Sequence, residues 1–191
     1  MLVASLSYGN DSIALMQWLH ENKALSRLGR VLCAYSDTGW AAKEWPARVE
    51  RGEAVAKSYG FEPHRIESMG FVPLARLKKG FPRNGMQFCT TELKIKPVTA
   101  FLEVVDPSKE ATIAIGIRRE ESEARSQWPE HIEDSDKHGG RDAWFPMVRV
   151  LKAERDALIG HAGFEVLPHR SKECFPCVNS NRADLRLLTE E

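Results

Sequence analysis

Cysteine is scarce in this chain: four among 191 residues, too few to staple a fold with disulfides. No apolar run approaches the ~20 residues that crossing a bilayer requires, and the N-terminus Met1-Leu-Val-Ala-Ser-Leu-Ser7 carries no basic leader. A cytoplasmic setting with no membrane partner is the expectation. In a reducing compartment, cysteines held close together serve metal binding or redox chemistry more often than cross-linking. An excess of one charge is missing too, since 27 Lys and Arg balance 27 Asp and Glu, so any contact with a polyanion must come from a local patch. Neither a Walker A sequence nor a Gly-x-Gly-x-x-Gly run is present, which removes the usual nucleoside-triphosphatase and dinucleotide fingerprints. Repeats and low-complexity segments are absent as well.

What is there reads as one globular domain over 1–191, with 164–191 a cysteine-bearing C-terminal segment. Leu2-Val-Ala-Ser-Leu-Ser7 is a short buried strand, and from Ser12 the apolar residues Leu15, Met16 and Leu19 recur at helical spacing. Val31–Tyr35 is a second strand, followed by a helix from about Lys43 to Tyr59 that Gly60 stops. Glu62–Ile66 and Ala111–Ile117 add strands, and Thr90–Glu103 a helix that Pro97 interrupts. Helices over 152–162 and 183–188 close the chain. The alternation predicts a doubly wound, mainly parallel α/β sheet, Rossmann-like, with helices on both faces. Two Pro- and Gly-bearing stretches, 69–92 and 126–142, read as long functional loops, the acids from Glu130 to Asp136 as a solvent-exposed one.

Three constellations carry chemistry. Ser7-Tyr-Gly-Asn-Asp-Ser12 lies between strand and helix, where backbone N–H groups favour an anion. Gly9 permits close approach of a phosphate, Ser7 and Ser12 supply hydroxyls, and Asp11 is placed to cap the helix. The alternative is a capped turn without a ligand. In Gly116–Arg125, helical spacing would set Arg118, Glu121, Ser122 and Arg125 on one face, two guanidiniums for phosphate oxygens with Glu121 holding one in place; a solvated helix with internal ion pairs is the plainer alternative. Cys174-Phe-Pro-Cys177 has the gap that lets two sulfurs face one metal, but a closed site wants four ligands. Cys89 could supply a third thiolate, and three thiolates with an open position suit a [4Fe-4S] cluster; a zinc or redox pair beside an isolated Cys89 is the alternative. Cys33, in an apolar strand, reads as core. Between 70 and 100, Arg76, Lys78, Lys79, Arg83, Lys94 and Lys96 face Glu92 alone, a patch able to steer a phosphate-bearing partner. Trp45, Trp128 and Trp144 read as packing.

Ser7-x-Gly9-x-Asp11-Ser12 resembles the pyrophosphate-binding loop of the PP-loop ATP pyrophosphatases, with Tyr8 in place of the first glycine of Ser-Gly-Gly-x-Asp-Ser. Ser36-Asp37-Thr38-Gly39-Trp40, Cys89-Thr-x-x-Leu93-Lys94-x-x-Pro97, Gly116-x-Arg118-x-x-Glu121-Ser122-x-x-Arg125 and Cys174-x-x-Cys177 follow in the order of the phosphoadenosine phosphosulfate (PAPS) reductase-like branch. No cysteine follows Cys177, so the C-terminal nucleophile of the sulfonucleotide reductases is lacking. The pattern looks closer to the DNA phosphorothioation-type and phage-borne members.

The resemblance implies an adenine nucleotide α-hydrolase-like fold and an adenylating sulfur-transfer enzyme. ATP with Mg²⁺ would bind through Ser7, Tyr8, Gly9, Asn10, Asp11, Ser12, Asp37, Thr38, Gly39, Gly116 and Arg118. Asp11, Arg118, Arg125 and Lys94 would be catalytic, with Lys94 on phosphate and Asp11 reaching the metal ion through water. Cys89, Cys174 and Cys177 would hold the cluster. A sulfur donor such as a cysteine desulfurase, a nucleic-acid or nucleotide substrate and a homo-oligomer are the implied partners. The alternatives are a sulfonucleotide reductase or a non-catalytic nucleotide-binding subunit.

Overall fold

A computed structural model of the chain describes residues 1–83, 85–169 and 171–186. Residues 187 and 188 of the expected last helix lie outside the described residues. Six strands, β1 (Leu2–Leu6), β2 (Val31–Asp37), β3 (Glu62–Glu67), β4 (Thr112–Ile115), β5 (His131–Ser135) and β6 (Arg141–Trp144), form one sheet in the order β3-β2-β1-β4-β6-β5. All pairings are parallel except β5 against β6 at one edge. The expected doubly wound α/β architecture is therefore present. The strand order reverses between β1 and β4, and ligands of open parallel sheets bind outside the carboxyl ends of the strands at such a point.

Alternating side chains assign the two faces. Leu2, Ala4 and Leu6 of β1 and Val31, Cys33 and Tyr35 of β2 pack with helices α1 (Asn10–Glu21), α3 (Trp45–Ser58) and α7 (Lys152–His161). Val3, Leu32, Ala34 and Ile113 face the other way, onto α6 (Lys96–Val105). Two short helices, α2 (Ala24–Leu28) and α4 (Phe71–Leu77), fill connections. Cys33 is fully buried in the core, as its apolar strand predicts.

Three expectations are corrected. The stretch 126–142 is not a loop: β5 and β6 form an antiparallel hairpin, with a register shift between Ile132 and Ser135. Its acids lie on an exposed edge strand, where charge discourages pairing with another chain. Within 69–92, α4 and a helical turn α5 (Phe88–Thr90) break the expected loop. The segment 116–125 is not one helix but two 3₁₀ turns, Arg119–Glu121 and Glu123–Arg125, separated by the extended Ser122 (φ −168°, ψ 158°). Arg118 and Arg125 consequently do not share a helix face.

Pro97 acts as expected and leaves a useful vacancy. A π-helical turn, Thr91–Ile95, precedes α6. Proline lacks an N–H and crowds the carbonyl four residues back, here that of Leu93. That freed carbonyl accepts a 2.6 Å hydrogen bond from the buried Ser36 hydroxyl at the end of β2, which fixes the Cys89-bearing segment to the sheet.

Candidate functional site

The first turn leaves β1 at Leu6. Ser7 N–H donates to the Ser12 hydroxyl at 2.8 Å, the two serine hydroxyls lie 3.1 Å apart, and Gly9 begins α1. Tyr8 adopts the left-handed conformation (φ 57°) that glycine adopts without cost, so the backbone path of a glycine is kept by a tyrosine. The structure accommodates the ring at one place: it is fully buried, edge-on to Tyr35 at 5.6 Å, and lies against the bare Cα of Gly52, where a Cβ would collide with it. Burial pushes the Tyr8 hydroxyl far above its ordinary pKa. Arg48 Nε donates to the Tyr8 carbonyl at 2.8 Å, a support the sequence gave no sign of.

Asp11 does not cap α1; Gly9 holds the cap position and no side chain satisfies it. The Asp11 carboxylate instead accepts from Arg118 Nε at 2.7 Å, with Arg155 Nη1 at 3.8 Å. Gly116 makes this meeting possible, because a Cβ there would lie 2.9 Å from the Asp11 carbonyl oxygen. The carboxyl ends of β1 and β4 thus bring the Ser7–Ser12 turn and the Arg118 segment together at the switch point. Arg118 is buried, and its Nη1 reaches Glu120 at 3.1 Å. Glu121 accepts from the Arg118 N–H and pairs with Arg125. These contacts are made across two 3₁₀ turns rather than along a helix. Asn10 is spent elsewhere: its amide exchanges two hydrogen bonds with the backbone of Leu167.

The second turn, Ser36–Trp40, is a docking platform for the cysteine-bearing end of the chain. Asp37 accepts from the Gly39 N–H at 2.8 Å, which closes the turn. The buried Thr38 hydroxyl donates to the Glu173 carbonyl at 3.1 Å, and the Cys174 thiol lies 3.5 Å from that hydroxyl. Trp40 Nε1 donates to the Pro176 carbonyl, Phe175 N–H to Trp40 and Ala42 N–H to Lys172. Ser171 meanwhile packs over Gly9, its Cβ 2.9 Å from where a Gly9 Cβ would be. Leu167 and Ser171 are therefore held at the first turn, and residues 172–176 at the second.

Cys89, Cys174 and Cys177 line a single cavity of about 310 Å³ together with Thr90, Lys94 and Pro176. Lys94 does not stand at the phosphate turn. Its ammonium pairs with the buried Glu173 at 2.5 Å, and while burial alone would depress it, Glu173 and the thiols of Cys174 and Cys177 outweigh that and hold it above its usual value. Burial pushes the Cys174 thiol up to about 11, with the Lys94 charge acting against the rise. Among the described residues, no three His, Cys, Asp or Glu side chains converge as a single metal ion requires.

No family model matches the chain. An uncharacterised 37.8 kDa protein of Escherichia phage 186 is 24% identical over 232 residues, covering 96% of this chain and 68% of that protein. Among solved structures, PAPS reductase from Candida auris superposes with TM-score 0.57 at 15% identity, over 86% of this chain and 74% of that one. The U34-tRNA thiolase NcsA of Methanococcus maripaludis, solved with its [4Fe-4S] cluster, gives 0.58 at 11% identity over 99% of this chain and 64% of that chain. FMN adenylyltransferase of Candida glabrata, in complex with FMN and an ATP analogue, gives 0.52 at 13% over 83% and 46%. At these identities the likeness is one of fold: the chain has the α/β architecture shared by PAPS reductase and the tRNA thiolase. No described helix is long and apolar enough to cross a membrane.

Proposed function

We propose that the chain is a PP-loop, PAPS reductase-like enzyme that binds ATP over the Ser7–Ser12 turn and adenylates a substrate for sulfur transfer. The observation that supports the reading is that Leu167 binds Asn10 beside the candidate phosphate turn while Glu173 and Pro176 bind the Ser36–Trp40 turn next to the thiol cavity. The N–H groups of Gly9 and the first turn of α1, with the hydroxyls of Ser7 and Ser12, would take the departing pyrophosphate. Arg118, fixed by Asp11, offsets charge developing on the phosphates, and Arg125 stands behind it through Glu121. Asp37, Thr38 and Gly39 border the nucleotide.

A substrate oxygen attacks the α-phosphorus and its proton passes to solvent. The bond to the bridging oxygen breaks and Mg²⁺-bound pyrophosphate leaves. A sulfur nucleophile then forms a bond to the substrate carbon and expels AMP. Cys89, Cys174 and Cys177 line one cavity beside the Lys94–Glu173 pair, and these three thiols would be the ligands of a [4Fe-4S] cluster. Such a [4Fe-4S] cluster, when bound, supplies an open iron that can hold sulfide from a donor such as a cysteine desulfurase.

Anaerobically prepared wild type is expected to carry iron and sulfide with broad visible absorption, and Cys89→Ser to lose both; a colourless protein holding zinc overturns the cluster. Pyrophosphate release from ATP is expected from wild type and about a hundredfold less from Asp11→Ala. Thioredoxin-coupled sulfite release from PAPS in place of that activity overturns the adenylating reaction.

A further inference from the structure

A second cavity, about 360 Å³, opens beside the thiol cavity and belongs to none of the groups described so far. It lies between the Ser36–Trp40 turn and α4. Its walls are aromatic: Trp40 and Phe71 stack with centroids 4.9 Å apart, 28° from parallel, and Phe81 tilts over Phe71 at 5.6 Å. Phe71 and Phe81 line both cavities, so the two are neighbours. Phe81 is 71% exposed, which is costly for an isolated phenylalanine and useful for one that closes on a flat partner.

The rim is cationic. Arg76 and Lys79 line the cleft itself, and Arg83 follows two residues after Phe81. Among the described residues none of these three has an ion-pair partner, whereas Lys78 and Lys96 are both taken by Glu92, at 3.6 and 2.8 Å. Lys79 is held at the end of α4 in the left-handed conformation (φ 54°), where glycine or asparagine is the usual occupant. Neutral as a whole, the chain thus concentrates unpaired positive charge beside an open aromatic slot.

Aromatic faces flanked by free guanidinium and ammonium groups bind single-stranded nucleic acid: the rings stack on a base, and the cations meet the phosphates on either side. We infer that this cleft takes an unpaired base of a single-stranded nucleic acid, stacked on the exposed ring of Phe81 beside the Trp40–Phe71 pair, with its flanking phosphates on Arg76 and Lys79. The substrate of the proposed sulfur transfer would then be a nucleic-acid strand presented with one base out of its stack beside the thiols. This rests on the function proposed above only for the chemistry that follows binding, because the cleft itself requires neither ATP nor a cluster. A duplex would not enter, since its bases offer no free face.

The test is fluorescence anisotropy of labelled oligonucleotides of about twelve nucleotides, single-stranded DNA, single-stranded RNA and the matching duplex, without ATP and across a salt series. Wild type is expected to prefer the single strand, with the DNA and RNA arms showing which sugar is accepted. Phe81→Ala is expected to weaken binding about five- to a hundredfold, and Phe81→Trp to restore it where Phe81→Leu does not. Because Phe81 is so exposed, its loss leaves the core intact, which circular dichroism checks. The double variant Arg76→Glu with Lys79→Glu is expected to lower the salt dependence by about two phosphate contacts, while Arg27→Glu on the distant, exposed α2 changes nothing. Equal affinity for duplex, binding indifferent to Phe81→Ala, or no single-strand binding even at low salt would each overturn the cleft's role, including the case in which an apolar protein segment fills it instead. Pyrophosphate release is measured separately. Release without strand binding rejects the cleft and leaves the adenylating function standing; strand binding without release does the opposite.

Discussion

Among the described residues, Arg141, Arg118 and Arg155 are buried with carboxylates against them, and the first two do different work. Arg141 on β6 is wholly enclosed. Its Nε meets Asp106 at 2.7 Å, its Nη1 Glu103 at 3.0 Å, and its Nη2 the carbonyls of Leu102 and Asp106. Asp106 in turn accepts from the amides of Glu110 and Ala111. The Arg141 donors hold the end of α6 against the sheet, with one also directed at the His138 carbonyl. Arg118, nearly as buried, faces Asp11, whose side chain is 36% exposed, and Glu120, which is 47% exposed. Its Nη2 makes no hydrogen bond to a described residue. The first cluster is closed and holds the fold together; the second is open on one side, at the strand-order reversal, where an anion can complete it.

The difference can be broken or sharpened by substitution. The largest effect is expected for Arg141→Ala, which strands the buried Asp106 carboxylate and should lower unfolding free energy by about 3–5 kcal/mol in denaturant titration. A loss below about 1 kcal/mol would mean that the closed cluster does not hold the fold. Arg118→Ala should instead show in turnover, slowing pyrophosphate release by about 10²–10³-fold, while its cost in stability stays below that of Arg141→Ala because Asp11 keeps access to water. If the stability losses come out equal, the contrast between the two clusters fails.

Gly116→Ala sharpens it further. A Cβ 2.9 Å from the Asp11 carbonyl must push α1 off β4, at about 1–3 kcal/mol, with a turnover defect larger than that modest loss would suggest. The smallest effect is a pH dependence. Burial would raise the Asp106 carboxyl, but Arg141 and the two amides outweigh it and hold it below its usual value. Its contribution is then complete above the ordinary carboxylate range and is lost as pH falls below about 4. Asp106→Asn should be less stable at neutral pH, and the gap to wild type should narrow in acid-unfolding curves at pH 2–4. A gap constant with pH would show that Asp106 is not preferentially ionised in the folded state.

Much of the site was legible because it is local. A strand, a turn of Ser, Gly and Asp and a helix are readable within a dozen residues, and Pro97 announces a break that the freed Leu93 carbonyl then exploits. Tyr8 was legible only as a departure from the glycine pattern. That it keeps the glycine's backbone conformation depends on Gly52, more than forty residues on, leaving room for its ring. The β5–β6 hairpin was hidden because an exposed edge strand is charged and its register shift spoils the alternation that marks a strand. Spacing also misled at 116–125: the extended Ser122 breaks the helix, yet Glu121 still reaches both arginines. Arg48 and Arg155 had no signal at all, since each acts on the first turn from a helix remote in sequence.

The sequence by itself determined the parallel α/β sheet, the two turns at its carboxyl edge and the cysteines that border it. These follow from short-range periodicity and from residues whose backbone or hydrogen-bonding habits are fixed locally. Only the tertiary structure decided that the Ser36–Trp40 turn carries the Cys174 segment, that Lys94 pairs with Glu173 beside the thiols, and which arginine is closed and which open. Each of these depends on contacts between residues far apart in the chain, and such contacts are set by how the helices pack on the sheet.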